Sequence, residues 1–599
     1  MQAASSGSQT GSILGRVTDA TTGQPISGAA VSLGLPGGRD PTPPRRPSLT
    51  TAEGWFAIPD VPSGQYIVRV QADGYVNGYY GKFRPDDLDG VLPVAPGQRV
   101  ADAAVKMWKA AAIQGTVTSD DGHPIAGATL EVRDRRARGY GGILGIPVRT
   151  QTDDRGRYHV SGLGAGDYIV AVLFTPTTIP VTVLDAYRDA MSMRTEAGQA
   201  LIARLRATRV PIPVRPSEVA GGFSYEVLGP DGPAPAPPSD GSKRVVYRTT
   251  FYRTADSVGR ADLVHVSAGD EARGIDFRLS IRPGQRVSGV LNGPNGPVPY
   301  YGLRLVPPDE PPVQANEPIF LTLYENADAM TDAHGAFTFL GVPAGRYVIG
   351  TSPAGATPWV SADVTVADRD LTDLALSVHP GIRISGRVVF DGATAPPSAE
   401  LIQQASIARL AHLVPTGYAD PPGAVLAPDR SFVTPEYAPG RYLVLNQGIG
   451  PVWTLRSALL DGRDVSTVPL ELTNGDVSNL VLTYTDRRTT LTGIVRLGPD
   501  VAAISTEVVV FPGDYRAWLQ EGLPSHLPSR QTRVAHTTAN GAFLFAGLAP
   551  GEYLVAALRA EDCAQLGAEF VARVAQVASH VSLRDGERTS VELDIVKPR

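Results

Sequence analysis

One repeated pattern constrains the fold of this chain more than any other feature of its sequence. The pattern occurs five times, and each copy has an aromatic residue after a first turn and a tyrosine after a second turn. The two rings are always 10 residues apart, in the pairs Phe56–Tyr66, Tyr158–Tyr168, Phe337–Tyr347, Phe432–Tyr442 and Phe543–Tyr553. In the fourth copy we interpret Ser431 as the replacement for the first-turn glycine found elsewhere, at Gly54, Gly156, Gly335 and Gly541. Such self-similarity predicts a tandem array of alike modules.

The spacing within each copy predicts two β-hairpins. Glycine supplies the positive φ that the first turn needs, and the aromatic residue then alternates with polar residues along a half-buried strand. The tyrosine of the following strand can bury its ring while its hydroxyl finds a hydrogen bond at a corner. Each copy also opens with a glycine-containing strand, with the glycines at Gly15, Gly115, Gly289, Gly386 and Gly493. Many short strands with turns at close spacing indicate a β-sandwich.

The repeat sets the predicted domain boundaries. A flexible leader covers residues 1–11, and five sandwich modules follow at 12–109, 110–283, 284–380, 381–488 and 489–599, which we call copies 1 to 5. Copy 2 is longer than the others because it carries an insertion at about residues 175–246. Apolar residues at helical spacing predict one helix over 184–207 in this insertion, and a proline-rich linker follows it. A short second helix is predicted at Glu569–Val577.

Composition excludes several classes of protein. The net charge of −6 argues against a general nucleic-acid binder, and the single cysteine, Cys563, excludes an intramolecular disulfide and a multi-cysteine metal site. No apolar run is long enough for a transmembrane helix, and the first residues lack the features of a signal peptide. If the protein is exported, we expect its signal to be missing from this sequence.

The first copy carries the residues of a known family. Its segments Gly15-Arg-Val-Thr-Asp, Gly23-Gln-Pro-Ile-Ser-Gly-Ala, Gly54-Trp-Phe and Val61-Pro-Ser-Gly-Gln-Tyr resemble the carboxypeptidase regulatory-like domain. That resemblance implies an all-β chain built as a tandem array of transthyretin-like Greek-key sandwiches, with one helix-containing insertion. In carboxypeptidases the domain accompanies a zinc catalytic domain, and no such domain is recognisable here. The second half, with Asp461-Gly-Arg-Asp-Val-Ser, resembles large secreted proteins of acidobacterial type.

No catalytic motif supports an enzyme. The sequence lacks His-Glu-x-x-His, Gly-x-Ser-x-Gly and a Walker loop. The nine histidines are scattered, and Cys563 follows two acidic residues that would raise its pKa. We therefore expect no catalytic residue and no cofactor, with calcium as the one exception considered. Asp86, Asp87 and Asp89 bring three carboxylates to one short loop, and such oxygens are the ligands that Ca²⁺ prefers.

Exposed aromatic rings are the candidates for ligand binding, because sugars stack on such rings. Trp55 directly precedes a core aromatic, so strand alternation predicts that it faces outward. The adjacent pairs Tyr79–Tyr80 and Tyr300–Tyr301 would each place one ring on the outer face of a strand.

The sequence favours a non-catalytic scaffold or adhesion protein at the cell surface, outside the cell or in the periplasm. Its expected partner is a surface or matrix protein or a polysaccharide. One alternative is a carbohydrate-binding array that uses the exposed aromatics, with several weak sites acting together. A second alternative is an accessory subunit or scaffold of a secreted hydrolase, contacted through the insertion.

Overall fold

The structure is a computed structural model, and it confirms the all-β tandem array. It describes residues 10–598 except 36–45, 83–91, 135–147, 194, 209, 214–215, 217, 230–231, 235–243, 254, 256–259, 308–326, 352–357, 399–400, 403–409, 413–422, 445–448, 450–451, 467, 474, 488, 497–505, 517–532, 539, 549 and 560–567.

Strands dominate the first two copies. Copy 1 contains β1 (Gly11–Asp19), β2 (Ala30–Gly34), β3 (Ser48–Leu49), β4 (Trp55–Val61), β5 (Gly64–Gln71), β6 (Gly78–Tyr79), β7 (Leu92–Val94), β8 (Arg99–Val100) and β9 (Val105–Met107). Copy 2 begins with β10 (Ala111–Ser119), β11 (Thr129–Asp134), β12 (Val148–Gln151), β13 (Arg157–Leu163) and β14 (Gly166–Leu173). The insertion contributes β15 (Pro176–Pro180), α1 (Val181–Met193), α2 (Glu196–Ala207), β16 (Val219–Ala220), β17 (Phe223–Gly229), β18 (Gly232–Ala234) and β19 (Val245–Val246). Copy 2 ends with β20 (Thr250–Phe251), β21 (Val264–Val266), β22 (Glu271–Ala272), β23 (Phe277–Leu279) and β24 (Arg282–Pro283).

The later copies follow the same plan. Copy 3 contains β25 (Gln285–Gly293), β26 (Gly296–Pro297), β27 (Gly302–Val306), β28 (Ala327–Met330), β29 (Ala336–Val342), β30 (Gly345–Thr351), β31 (Ser361–Val366) and β32 (Leu371–Ser377). Copy 4 contains β33 (Ile384–Asp391), β34 (Leu410–His412), β35 (Val425–Leu426), β36 (Ser431–Val433), β37 (Gly440–Val444), β38 (Thr454–Leu460), β39 (Arg463–Asp464), β40 (Leu470–Leu472) and β41 (Val477–Thr485). Copy 5 contains β42 (Thr489–Arg496), β43 (Thr506–Pro512), β44 (Arg533–His536), β45 (Ala542–Leu548), β46 (Gly551–Arg559), α3 (Ala568–Ala575), β47 (Ser579–Leu583) and β48 (Arg588–Asp594).

Copy 5 shows how a copy is built from two sheets. One sheet has the order β45-β42-β48 and the other has the order β44-β43-β46-β47. Alternate residues of each strand point between the sheets, so that Leu491, Val508 and Val555 are buried in one core with the aromatic Phe543. The predicted second helix is present as α3, and its Val571 and Val574 pack with Val509 on the other face of the second sheet.

A glycine lies where the opening strand meets the closing strand in every copy. The closing strand runs parallel to the opening strand, as in the pair β42–β48. A Cβ on Gly493 would overlap the backbone oxygen of Val591 and the ring of Phe543, which lies opposite it on β45. Gly15, Gly115, Gly289 and Gly386 have the same kind of backbone oxygen in the same place. The recurring glycine is therefore explained by close approach of the closing strand.

Both rings of the repeat are buried in all five copies. The first aromatic residue packs in the core, and in copies 1 to 4 the hydroxyl of the later tyrosine donates to the carbonyl four residues earlier. These hydrogen bonds are Tyr66 to Pro62 at 2.9 Å, Tyr168 to Gly164 at 2.8 Å, Tyr347 to Pro343 at 2.9 Å and Tyr442 to Ala438 at 2.7 Å. The corner predicted for this tyrosine is thus present, and it stabilises the second turn.

The first turn of copy 4 differs from our interpretation of the sequence. Arg430, and not Ser431, occupies the glycine position, with a φ of 67°. Its carbonyl accepts the hydrogen bond from Val388 at 2.9 Å, as Gly54 accepts one from Val17 at 2.8 Å. The conformation of the turn is therefore retained without its glycine, and a non-glycine residue occupies the left-handed region.

The helix predicted over 184–207 is two helices, α1 and α2. Thr195 has an extended backbone, and its side chain accepts a hydrogen bond from the N–H of Gly198 at 3.1 Å, which makes it the N-cap of α2. A Cβ on Gly198 would lie 3.0 Å from the carbonyl oxygen of Ala190 in α1. The apolar residues keep a helical spacing through both helices. The sequence prediction therefore did not separate them at Thr195, the N-cap residue at which α2 begins.

The insertion extends the second sheet of copy 3. β15 pairs in parallel with β28, and β17 pairs with the other edge of β15. The helical hairpin packs beside this sheet, with Leu184 and Leu205 buried against Met330. The chain divides into two compact units, Met1–Val172 with Thr250–Leu279 and Leu173–Thr249 with Ser280–Arg599. The insertion thus belongs to the same unit as copies 3 to 5.

Candidate functional site

Trp55 is the predicted ligand-binding residue that keeps the most open ring. It lies on β4 opposite Arg16 of β1, and 47% of its surface is exposed. The guanidinium of Arg16 lies 5.7 Å from the centre of the indole ring, and its Nε donates to the carbonyl of Glu53 at 3.0 Å. The equivalent positions of the other copies hold Arg157, Ala336, Ser431 and Ala542, so only copy 1 has an aromatic ring at this place.

The pair Tyr79–Tyr80 is half-buried. Tyr79 ends the short strand β6, and the ammonium of Lys82 lies 4.7 Å from the centre of its ring. Tyr80 packs against the core of copy 1. Neither ring stands free on a strand surface, because β6 ends between them and alternation no longer sets their directions.

The pair Tyr300–Tyr301 does not follow strand alternation either. Tyr300 has a φ of 54° and packs against the cluster of the helical hairpin. Tyr301 packs against the core of copy 3, and its hydroxyl contacts the carbonyl of Pro358 and Thr351 Oγ1, the latter at 3.0 Å. Burial raises the pKa of Tyr301 from its usual value of 10.0 to about 12. This hydroxyl is committed to internal contacts.

The three aspartates predicted as calcium ligands, Asp86, Asp87 and Asp89, lie outside the described residues. Among the residues that the structure does describe, no group of three or more His, Cys, Asp or Glu side chains could hold a metal ion. A calcium site at this loop stays a prediction.

Buried ion pairs are the charged features that sequence reasoning missed. In copy 2, Glu131 is buried and accepts from Arg133 at 2.7 Å and from Arg149 at 2.8 Å. In copy 3, Arg304 and Asp328 form a two-point pair at 2.8 and 2.9 Å. Glu131 and Arg149 are cross-strand partners, as are Arg304 and Asp328, and strand pairing cannot be read from one sequence. Arg133 lies on the same strand as Glu131, two residues further along. Each buried carboxylate thus has a guanidinium partner, which is the condition for burying it.

A shallow cleft lies where the insertion meets copy 3. Its walls are mostly aromatic, aliphatic and proline side chains, and Arg248 and Thr249 are the polar members. The hydroxyl of the nearby Tyr225 is buried against Gly341, which forms part of the wall. The lining residues are Phe174, Pro176, Tyr247, Arg248, Thr249, Leu305, Ala327, Gly341, Val342, Pro343 and Tyr347.

Comparison with known proteins identifies the family of the N-terminal copies. The model of the carboxypeptidase regulatory-like domain matches residues 12–99 and 112–190, so the chain carries tandem domains of this family. No curated protein matches the chain. No helix within the described part of the chain is long and apolar enough to cross a membrane.

Several solved pilins are similar to this chain at low identity. A streptococcal ancillary pilin is 11% identical, and the match covers 62% of this chain and 100% of the pilin with a TM-score of 0.19. The minor pilin of Streptococcus agalactiae is 11% identical over 46% of this chain and 97% of its own, with a TM-score of 0.19. The major pilin subunit of Bacillus cereus is 10% identical over 62% of this chain and 100% of its own, with a TM-score of 0.14. Scores this low carry no inference about function.

Proposed function

We propose that this chain, which carries tandem carboxypeptidase regulatory-like domains, is a non-catalytic scaffold or adhesion protein displayed at the cell surface. Its expected partner is a surface or matrix protein or a polysaccharide.

One observation carries this proposal. The residues that recur in every copy make contacts inside that copy, and these contacts stabilise its fold. The opening-strand glycine makes room for the closing strand, as at Gly493 beneath Val591. The first aromatic ring fills the core, and the later tyrosine bonds its own turn, as Tyr442 does. A chain that repeats only its folding residues repeats a building unit, and any contact function must lie in the residues that vary between copies.

The proposal is tested on the producing cells and on the purified chain. We expect antibodies against the chain to label intact cells, and we expect deletion of its gene to lower attachment of the cells to surfaces. Complementation with the full chain should restore attachment, and the purified chain should not turn over peptides, esters or glycosides. Labelling that requires permeabilised cells, or turnover that survives purification, would contradict the proposal.

Trp55 favours carbohydrate binding as a second candidate function. A half-exposed indole ring with the guanidinium of Arg16 over it offers an aromatic surface and a cation together. This combination suits an acidic sugar, which would stack on the ring and place its carboxylate near the guanidinium.

The test compares alginate or polygalacturonate with neutral dextran as immobilised probes. We expect the full chain to bind the acidic polysaccharides and to lose this binding in Trp55→Ala. Leu544→Ala is the matched control, because Leu544 is an aliphatic side chain that is 57% exposed on β45 in copy 5. Equal binding by the two variants would show that Trp55 does not bind the polysaccharide.

A further inference from the structure

We infer that each copy carries tension along the chain through a shear clamp formed by its opening and closing strands. This inference rests on the proposed function, since a surface scaffold is pulled between its attachment points. The clamp is the parallel pairing of the opening strand of a copy with its closing strand, which occurs in all five copies as β1–β9, β10–β23, β25–β32, β33–β41 and β42–β48. In copy 2 the two-residue strand β24 follows the closing strand and pairs with β19.

The parallel direction of these pairs decides how they respond to force. Tension enters a copy at the N-terminal end of its opening strand and leaves at the C-terminal end of its closing strand. In a parallel pair these two points lie at opposite ends of the ladder, so the strands are pulled past one another along their axes. All ladder hydrogen bonds then carry the force together, whereas an antiparallel pair of terminal strands would open one bond at a time.

Short connections deliver the force directly to the clamps. β9 ends at Met107 and β10 begins at Ala111, while β41 ends at Thr485 and β42 begins at Thr489. At the first of these joints, the N–H of Val76 bonds Trp108 and the N–H of Ala110 bonds Gly74, both at 2.9 Å, so the connection is also held laterally. The insertion lies between β14 and β20, so it is not part of the covalent connection that leads from β23 to β25.

The clamps differ in length, which predicts an order of yielding. In copy 5 the ladder is unbroken, and Thr490–Arg496 pair one to one with Arg588–Asp594. In copy 1 the opening strand pairs at Ser12–Ile13 with β8 and at Val17–Asp19 with β9, and Gly15 lies in the gap between the two blocks. Copy 2 has the same interrupted arrangement. We therefore expect copies 1 and 2 to yield at lower force than copy 5.

A change of pulling direction isolates the clamp of copy 5. In the full chain with Cys563→Ser, the pair of variants Thr490→Cys and Asp594→Cys places handles at opposite ends of the β42–β48 ladder. The pair Thr490→Cys and Arg588→Cys places handles at the same end, because Thr490 and Arg588 are partners in the ladder. The two proteins keep the same backbone hydrogen bonds of the β42–β48 ladder and differ in the direction of loading. Asp594→Cys also removes a carboxylate 3.9 Å from the guanidinium of Arg496, at the exposed end of the ladder.

Force spectroscopy should show a several-fold higher unfolding force for the first pair of handles at the same pulling rate. Thermal unfolding without force should be the same for both proteins, which controls for damage by the cysteines. Equal forces in the two directions would overturn the clamp. Because this measurement needs no ligand and no cells, its failure is distinct from a failure of surface display or attachment.

Discussion

At the scale of single residues, the recurring glycines carry the clearest physical requirement. Gly493 has no positive φ, so the recurrence of glycine at this position of each copy is not explained by the needs of a turn. The backbone oxygen of Val591 and the ring of Phe543 together occupy the space that a Cβ would need. The glycine therefore permits the parallel closing strand and the core aromatic to meet at one point.

Gly493→Ala should lower the free energy of unfolding of copy 5 by about 1–3 kcal/mol, the usual cost of overfilling a packed site. Chemical denaturation followed by hydrogen exchange in β42 measures this loss. Gly350→Ala is the matched control, because its Cβ would lie 3.7 Å from the nearest atom, the oxygen of Val360. A loss at Gly350 as large as the loss at Gly493 would refute the steric explanation.

Asp19 gives copy 1 a dependence on pH. Burial acts to raise the pKa of its carboxyl, but hydrogen bonds from the N–H groups of Thr22 and Thr21 and from the hydroxyl of Tyr75 outweigh burial and lower the pKa below 3.8. A carboxyl with a lowered pKa stabilises the fold above its unfolded pKa, and this stabilisation is lost as pH falls through the folded value. Hydrogen exchange in β1 should therefore show copy 1 weakening below about pH 4. In Asp19→Asn this acid-dependent part of the loss should be absent, and an unchanged pH profile would contradict the assignment.

The burial or exposure of a residue was predictable from the sequence where strand alternation or the spacing of the repeat determines it. The outward direction of Trp55 follows from the buried Phe56 next to it, and the corner tyrosines follow from their spacing. In copy 4 the glycine that marks this turn elsewhere is missing, so the sequence interpretation assigns its position to Ser431. Only the backbone reveals that Arg430 occupies it, with a φ of 67°. The environments of Tyr300 and Tyr301 depend on the positive φ of Tyr300 and on packing against the insertion. Strand alternation in the sequence reveals neither.

At the scale of elements, the insertion belongs structurally to the copy that follows it. β15 adds a strand to the sheet of copy 3, and the hairpin of α1 and α2 buries Leu205 beside Met330. The sequence predicted helix in this region from its apolar period. It could not predict the partner sheet, because strand pairing between distant segments leaves no mark in one sequence.

Leu205→Ala should destabilise copy 3 by about 2–5 kcal/mol, because it leaves a cavity beside Met330. Hydrogen exchange in β28 should accelerate, while exchange in β10 of copy 2 should stay unchanged. Met191→Ala serves as the control, since Met191 is 48% exposed on the same hairpin, and its effect should stay within about 0.5 kcal/mol. Faster exchange in β10, with exchange in β28 unchanged, would contradict the packing of the hairpin on copy 3.

At the scale of the whole molecule, specific contacts reinforce the joints between successive copies. At the end of copy 3, the indole N–H of Trp359 donates to the carbonyl of Pro380, the last residue before copy 4, at 3.0 Å. Between copies 4 and 5, Asp391, Arg456, Asp585 and Arg487 form a closed ring of alternating charge. Arg487 contributes to this ring from the connection itself, 3.3 Å from Asp391 and 3.2 Å from Asp585. These contacts restrain the short connections, as a scaffold of linked modules requires.

Hydrogen exchange over the full chain tests most directly the claim that five copies are each closed by their own opening and closing strands. We expect five pairs of slowly exchanging segments, one at each opening strand and one at each closing strand. We also expect Gly493→Ala to speed exchange only within residues 489–599. Loss of protection that spreads into copies 1 to 3, or closing strands that exchange as freely as loops, would show that the copies are not closed by these strand pairs.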